Sequence, residues 1–277
     1  MEDIKVIEWL NYCDENNIKP WLWDFKNYSL SPFPNDSITA CLKYKELPEN
    51  EGIDCDKAAL FLYKVLGWQD NPKAITRGET INSYTTTFTQ AVTKDPNYKK
   101  ICKKIGVNLD EYLNKQYPIL YHNKNYQNFD IIQKNIKRFE LFAKLTHTIG
   151  NFTVLPHWMN TGRYNFSKDY WDITMLSLQE WFAILPKGTW NSFVDTFYLQ
   201  PYVNDKYEVE LFWDNHTDSK PFPKLQHYPI FLKKVNERIE ERGKFIIKQV
   251  CDKLNQKDYH FYKEIENMDK IKFSNEF

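Results

Sequence analysis

A histidine and several amide and basic side chains lie close together near the middle of the chain. His147 and Asn151 stand at the two ends of the run His-Thr-Ile-Gly-Asn, residues 147–151, here called the HTIGN corner. A group of polar and basic residues follows: Asn160, Arg163, Asn165 and Lys168. Imidazole titrates near neutral pH, so His147 is a candidate general base, and Asn151 is a candidate metal or orienting ligand. The following group is a candidate phosphate-binding edge.

Each of these residues also has a structural role open to it. His147 follows a long helical pattern, where its ring can hydrogen-bond the final carbonyl groups of the helix. Asn151 comes directly after a glycine, which is typical of an ordinary turn. Before Ser167, the residues Asn160, Arg163 and Asn165 form either an anion-binding edge at a helix N-terminus or a solvated loop. The sequence leaves both interpretations open.

Arg77 is a further candidate binding residue, far from the corner in sequence. It lies in the segment 74–92, which is rich in Thr, Ile, Tyr and Phe and therefore predicts one or two strands. The alternative for Arg77 is a surface hairpin with a structural ion pair.

The elements that must position these residues are mostly helical. Apolar spacing and caps predict helices over 2–13, 56–66, 95–106, 129–145, 167–185, 190–199 and 229–254. A short hairpin is expected over 202–213, and residues 20–52 form an irregular strap rich in proline and aromatic residues. We expect a single compact α+β domain over 1–277, mostly α-helical with a small antiparallel sheet and with C-terminal helices over 225–277.

Composition excludes several classes of protein. The 37 basic and 37 acidic residues balance, so overall charge gives no support for a nucleic-acid binder. With only 8 glycines there is no Gly-rich phosphate loop, and the aromatic content of 17% argues against disorder. Five scattered cysteines without a C-x-x-C pair predict free thiols and no zinc site. No signal peptide or long apolar run is visible, so we expect a cytoplasmic protein with no membrane partner.

The order of several short motifs resembles an uncharacterised bacterial family, a domain of unknown function. The motifs span residues from about 40 to 240: Lys45–Gly52, Arg77–Phe88, His147–Asn151, Trp171–Met175 and Asn236–Ile239. The resemblance implies a bacterial or phage origin and no particular reaction.

A second resemblance is local to the corner. Ile149–Pro156, Asn160, Asn165 and Lys168 are similar to the closing half of the HNH-type nuclease module of modification-dependent restriction enzymes. The resemblance implies a β-hairpin and helix that hold one divalent metal, with a histidine that activates water. The Asp-His-x-x-Pro segment that opens this module has no counterpart in the chain.

Two functions follow from these observations. The first is a bacterial or phage protein of the defence, toxin or counter-defence type that cleaves phosphodiesters at the HTIGN corner. There His147 would be the base and Arg163 would bind phosphate, and only this function requires Mg²⁺ or Mn²⁺. The second is a non-catalytic protein that binds a protein partner or a small anionic ligand, with a structural corner. A β-hairpin and helix over residues 146–170, with a carboxylate or a second imidazole within about 4 Å of His147, would favour the enzyme. A His147 packed among aromatic residues without a partner would favour the binding protein. Whether the chain is an enzyme, and whether its partner is nucleic acid or protein, stays open.

Overall fold

A computed structural model describes residues 2–25, 59–68, 75–105, 129–156, 170–217 and 220–268. Their α-helices are α1 (Glu2–Glu15), α2 (Leu60–Leu66), α3 (Tyr84–Thr93), α4 (Tyr98–Ile105), α5 (Asp130–Leu145), α6 (Trp171–Phe182), α7 (Thr189–Thr196) and α8 (Tyr228–Leu254). Two strands are β1 (Ile75–Thr80) and β2 (Phe152–Pro156). The mostly helical character expected from the sequence is confirmed. The assignment of 1–277 to one compact domain stays a prediction.

The two strands pair with each other in antiparallel orientation although about 70 residues separate them. Thr80 lies opposite Phe152 and Glu79 opposite Thr153, and the register shifts between Ile75 and Arg77. The pairing brings the chain after β1 next to the HTIGN corner, which directly precedes β2.

The long helix α8 is buried along much of its length. Its predicted apolar stripe is fully buried: Val235, Ile239, Ile246 and Val250. The first half of this stripe belongs to a hydrophobic cluster with α3, α5 and α6, and the second half to a cluster with α1 and α2. Since α8 contributes to both clusters, it connects them.

The prediction of strands throughout 74–92 is wrong after residue 80, because residues 84–93 form α3. Ser83 caps this helix: its side chain accepts a hydrogen bond from the Thr86 N–H at 3.2 Å. Tyr84 and Phe88 then fall one turn apart and pack against α5, where Tyr84 meets Phe142. The cap and this buried face outweigh the strand preference of the threonines.

The reversal predicted over 202–213 is present without regular strands. One isolated bridge joins Val203 to Val209, and the Asn204 N–H donates to the Glu208 carbonyl at 2.8 Å. The Asn204 side-chain oxygen also accepts from the backbone of Lys206 and Glu208, which closes the turn.

The start of the predicted strap is a 3₁₀ turn, Pro20–Leu22, whose neighbouring aromatic residues Trp21, Trp23 and Phe25 are buried. Residues 26–52 lie outside the described residues, as do Ser167, where α6 was predicted to begin, and the C-terminal residues from 269. Cys13, Cys102 and Cys251 are free thiols, as expected. Within the described chain, no helix combines the length and apolar character that crossing a bilayer requires.

Candidate functional site

The HTIGN corner packs directly against the backbone of α8. Ile149–Asn151 form a 3₁₀ turn between the end of α5 and the start of β2. A Cβ atom at Gly150 would overlap the Ile239 carbonyl oxygen and lie 2.8 Å from the Gly243 nitrogen. The Gly150 and Gly243 backbones therefore approach as closely as they do because neither residue carries a side chain.

The Asn151 side chain is fully buried and engaged by hydrogen bonds. Its Nδ2 donates to the Thr146 carbonyl at 2.8 Å and to the Asn82 carbonyl at 3.0 Å. Its Oδ1 accepts from the Asn82 backbone N–H at 2.9 Å and from Asn82 Nδ2 at 3.3 Å. Asn151 thus joins the end of β1 to the end of α5.

Arg242 of α8 completes the interior of the corner. Its Nη1 donates to the carbonyls of Gly150 at 2.7 Å and Phe152 at 2.6 Å. Its Nε and Nη2 donate to the carbonyls of Tyr198 and Phe197, each at 2.9 Å. Burial lowers the pKa of Arg242 to about 10, which still leaves the guanidinium charged at neutral pH. One cation therefore satisfies four backbone acceptors in two separate segments.

His147 lies inside the protein, with 1% of its surface exposed. Its carbonyl accepts a hydrogen bond from the Phe25 N–H at 3.0 Å, and Asp24 Oδ1 lies 3.9 Å from its Nδ1. A carboxylate therefore lies within the distance expected for an enzyme. The Thr146 and Thr148 hydroxyls donate to carbonyls in the last turn of α5, so threonines contribute to ending that helix.

Of the other sequence-predicted site residues, the structure describes the backbone of Arg77 alone. Arg77 lies in β1, with its backbone opposite Leu155. Asn160, Arg163, Asn165 and Lys168 lie outside the described residues. Among the residues that the structure does describe, no three His, Cys, Asp or Glu side chains gather into a metal-binding group. Asn151 Oδ1 already accepts two hydrogen bonds, so the described part of the corner does not fit a metal ion.

A different region carries an open cavity. A cleft of about 730 Å³, here called the lysine cleft, lies between the 212–224 loop and the N-terminal end of α8. It is lined by Phe212, Trp213, Asp214, Asn215, Lys220, Phe222, Lys224, Gln226, His227, Ile230 and Lys234. Among the described residues, its charged lining comprises three lysines and one aspartate. The cleft is therefore locally positive in a chain whose net charge is zero.

One wall of the cleft is a stack of rings. Trp213 stacks on His216, with ring centres 3.7 Å apart and an angle of 28°, and on His227, with centres 5.1 Å apart and an angle of 20°. Such stacking fixes the orientation of His227 on the cleft side.

The wall is anchored by a buried hydrogen-bonded pair. His216 Nδ1 lies 2.6 Å from Asp172 Oδ2 of α6, and its Nε2 lies 2.9 Å from the Pro221 carbonyl. Because a carbonyl oxygen only accepts, Nε2 is the donor in the second bond. The same Asp172 oxygen accepts from the Phe212 N–H at 2.8 Å. Both ends of the 212–221 segment are therefore tied to the interior.

His227 is arranged as a neutral hydrogen-bond donor. The Lys224 backbone N–H donates to its Nδ1 at 3.1 Å, so the single proton of the neutral ring is on Nε2. The pKa of His227 is lowered, first by burial and then by nearby positive groups: Lys224, His216 and Lys94. At neutral pH the ring is thus uncharged, and its free N–H group is Nε2.

Two lysines are held at the cleft by backbone carbonyls. Lys234 Nζ donates to the Leu211 carbonyl at 3.1 Å, and Lys94 Nζ donates to the Pro223 carbonyl at 2.7 Å. Burial lowers the pKa of both lysines, and Arg238 lowers the pKa of Lys234 further, although the acidic groups of Glu210, Asp172 and Asp214 partly oppose this shift. Since burial disfavours their charge, an anion placed near these ammonium groups would be favourable.

Comparisons with protein-family models, with curated proteins and with solved structures found no match to this chain. None of the site residues predicted from the sequence is among the described residues that line the lysine cleft. The sequence signal that could have marked it is the grouping of Trp213, His216 and His227 with Lys220 and Lys224 within fifteen positions. Asp172 carried no such signal, because it lies 44 positions before His216.

Proposed function

We propose that the protein binds a small anionic ligand in the lysine cleft and that the HTIGN corner is structural. This is the second of the two functions that the sequence left open. The observation that carries the proposal is the grouping of Lys220, Lys224 and Lys234 around one cavity, where Asp214 is the one acidic lining residue in the described part of the chain. The ligand is small because a volume of about 730 Å³ lies in the range of small-molecule sites.

The physical basis for anion binding is local electrostatics. Lys220 and Lys224 are exposed at the rim, while Lys234 is half-buried and held by the Leu211 carbonyl. An anion between them gains Coulomb energy from several cations at once, and a partly enclosed cleft screens this attraction less than open water does. The Nε2–H group of His227 supplies a neutral donor at the same wall.

The structural role of the corner is supported by what already surrounds its polar groups. Asn151 has no exposed surface, and its amide nitrogen and oxygen are both engaged in hydrogen bonds with Asn82 and Thr146. His147 is equally inaccessible to a phosphodiester, whatever the carboxylate of Asp24 contributes. Cleavage at this corner would require both side chains to leave their present surroundings, which argues for the binding function.

Isothermal titration calorimetry with inorganic phosphate tests the proposal. The Lys224→Gln variant removes one rim charge, and Lys187→Gln removes an exposed charge in the turn after α6 as a matched control. We expect Lys224→Gln to weaken phosphate binding by about fivefold, which corresponds to about 1 kcal/mol for a solvent-accessible charge pair. Lys187→Gln should bind as the unaltered protein does. Absence of phosphate binding, or equal effects of the two substitutions, would refute the proposal.

The nuclease hypothesis has its own test. DNA and RNA are incubated with the protein and with its His147→Ala and Asn151→Ala variants, in Mg²⁺, in Mn²⁺ and in EDTA. Our proposal predicts no cutting under any of these conditions. Metal-dependent cutting that is lost in variants shown to be folded would contradict our proposal and support a nuclease site at the HTIGN corner.

A further inference from the structure

The lysine cleft also has an apolar lip. Phe222 and Ile230 line it and are unusually exposed for large apolar side chains, at 41% and 42%. Two such side chains exposed beside a cavity do not contribute the hydrophobic free energy that their burial would provide. Their position next to the lysines therefore suggests that they form a contact surface for a ligand. Inorganic phosphate alone would leave this lip unused.

The backbone on both sides of Phe222 is held in place. The Pro221 carbonyl accepts from His216 Nε2 at 2.9 Å, and the Pro223 carbonyl accepts from Lys94 Nζ at 2.7 Å. Lys94 Nζ also lies 5.4 Å from the centre of the Phe222 ring. The exposed ring is therefore presented by a fixed segment of chain, and its exposure is a property of the folded state.

The first turns of α8 place the complementary groups in one row. His227 immediately precedes the helix, and Ile230 and Lys234 follow at spacings of three and four residues, which share one helical face. A neutral ring donor, an apolar side chain and an ammonium group thus line the same side of the cleft. Ile230 thus places apolar surface directly beside the ring donor and the ammonium group, which suits a ligand that combines an anionic group with a flat apolar part.

We infer that the ligand is a phosphate monoester that also carries an aromatic ring, an inference that rests on the anion binding proposed above. The phosphoryl oxygens contact the lysines and His227 Nε2, and the aromatic group packs against Phe222 and Ile230. A phosphate monoester fits better than a carboxylate because it carries close to two charges and three acceptor oxygens, which suits several cations and one neutral donor. Aryl phosphates and nucleoside monophosphates share this chemistry.

Calorimetry with four probes on the full chain tests the inference: methyl phosphate, phenyl phosphate, benzoate and adenosine 5′-monophosphate. We expect phenyl phosphate to bind about tenfold tighter than methyl phosphate, since burying much of one ring is worth about that factor. Benzoate should bind at least about fivefold more weakly than phenyl phosphate. Of the two aromatic phosphates, the tighter one identifies the ring as a simple aryl group or a nucleoside.

The Phe222→Ala variant separates this inference from the proposed function. It should reduce the preference for phenyl over methyl phosphate to about twofold or less, because phenyl phosphate loses its ring contact and methyl phosphate has none to lose. Ile184→Ala, at an exposed apolar side chain in the turn after α6, is the matched control and should preserve the preference. Equal binding of methyl and phenyl phosphate, or of benzoate and phenyl phosphate, would overturn the inference and leave anion binding standing. Failure of all four anions to bind would overturn the proposed function itself.

Discussion

Replacing Asn151 by alanine should destabilise the protein strongly, because its amide serves three backbone groups that are buried with it. The substitution removes the acceptor of the Asn82 N–H and the donor to the carbonyls of Asn82 and Thr146. A buried polar group left unsatisfied costs about 1–3 kcal/mol. Taking about 1.5 kcal/mol for each of three groups gives a loss of about 4–5 kcal/mol, a large part of the roughly 5–15 kcal/mol that stabilises a typical domain.

Urea denaturation followed by circular dichroism measures this loss, with the slope of the free energy against urea checked for constancy. Asn16→Ala is the matched control: Asn16 Nδ2 also donates to a backbone carbonyl, that of Tyr12 at 2.9 Å, but at an exposed position. We expect the control to cost no more than about 0.5 kcal/mol. Catalytic residues are often held at the expense of stability, so their replacement by alanine tends to be neutral or stabilising. A loss below about 1 kcal/mol at Asn151 would refute the structural interpretation of the corner.

Two further perturbations test other parts of the fold. Gly150→Ala should lower the free energy of unfolding by more than about 3 kcal/mol in thermal unfolding, since the new Cβ meets the rigid backbone of α8. Gly67→Ala is the control: Gly67 has a φ of 76° and open space around it, so the substitution should cost about 1–2 kcal/mol. Similar losses at the two sites would contradict the close approach of the corner to α8. Burial raises the pKa of Asp252, but hydrogen bonds from Lys248, Tyr262 and Lys257 outweigh it and bring the value to about 2. This folded-state pKa lies below the unfolded value, so its stabilisation is present above pH about 4 and is lost as pH falls towards 2. Unfolding free energies measured across this range should therefore fall more steeply in the unaltered protein than in Asp252→Asn, and parallel curves would rule the contribution out.

The sequence predicted the long helices well because their signals are local. The apolar spacing placed α5 and α8 within one or two residues of their bounds, and Gly67 ends α2 with a left-handed backbone as expected. The strand preference of Thr and Tyr misled the prediction for Tyr84–Thr93, where the Ser83 cap and the packing on α5 decide the structure. Local preferences failed where a tertiary contact outweighed them.

The candidate sites depended on contacts between distant residues. The residue types of the HTIGN corner do not reveal whether His147 and Asn151 are exposed or buried. Their environment is set by Asn82, 69 positions before Asn151, and by Arg242, 92 positions after Gly150. The lysine cleft likewise depends on the pairing of His216 with Asp172. Contacts between residues so far apart in the chain produce no periodic pattern in a single sequence.

The hydrogen bonds of Arg242 also bear on how the chain folds during synthesis. The carbonyls of Gly150 and Phe152 emerge from the ribosome before the guanidinium that satisfies them, and 92 positions separate Gly150 from Arg242. At roughly 5–20 residues per second, translation of this interval takes about 5–20 s. During that time β1 and β2 can meet, but the surface that Gly150 offers to α8 has nothing to cover it. The nascent chain therefore passes through a stage in which the HTIGN corner is still uncovered. The corner is covered only after α8 has been synthesised.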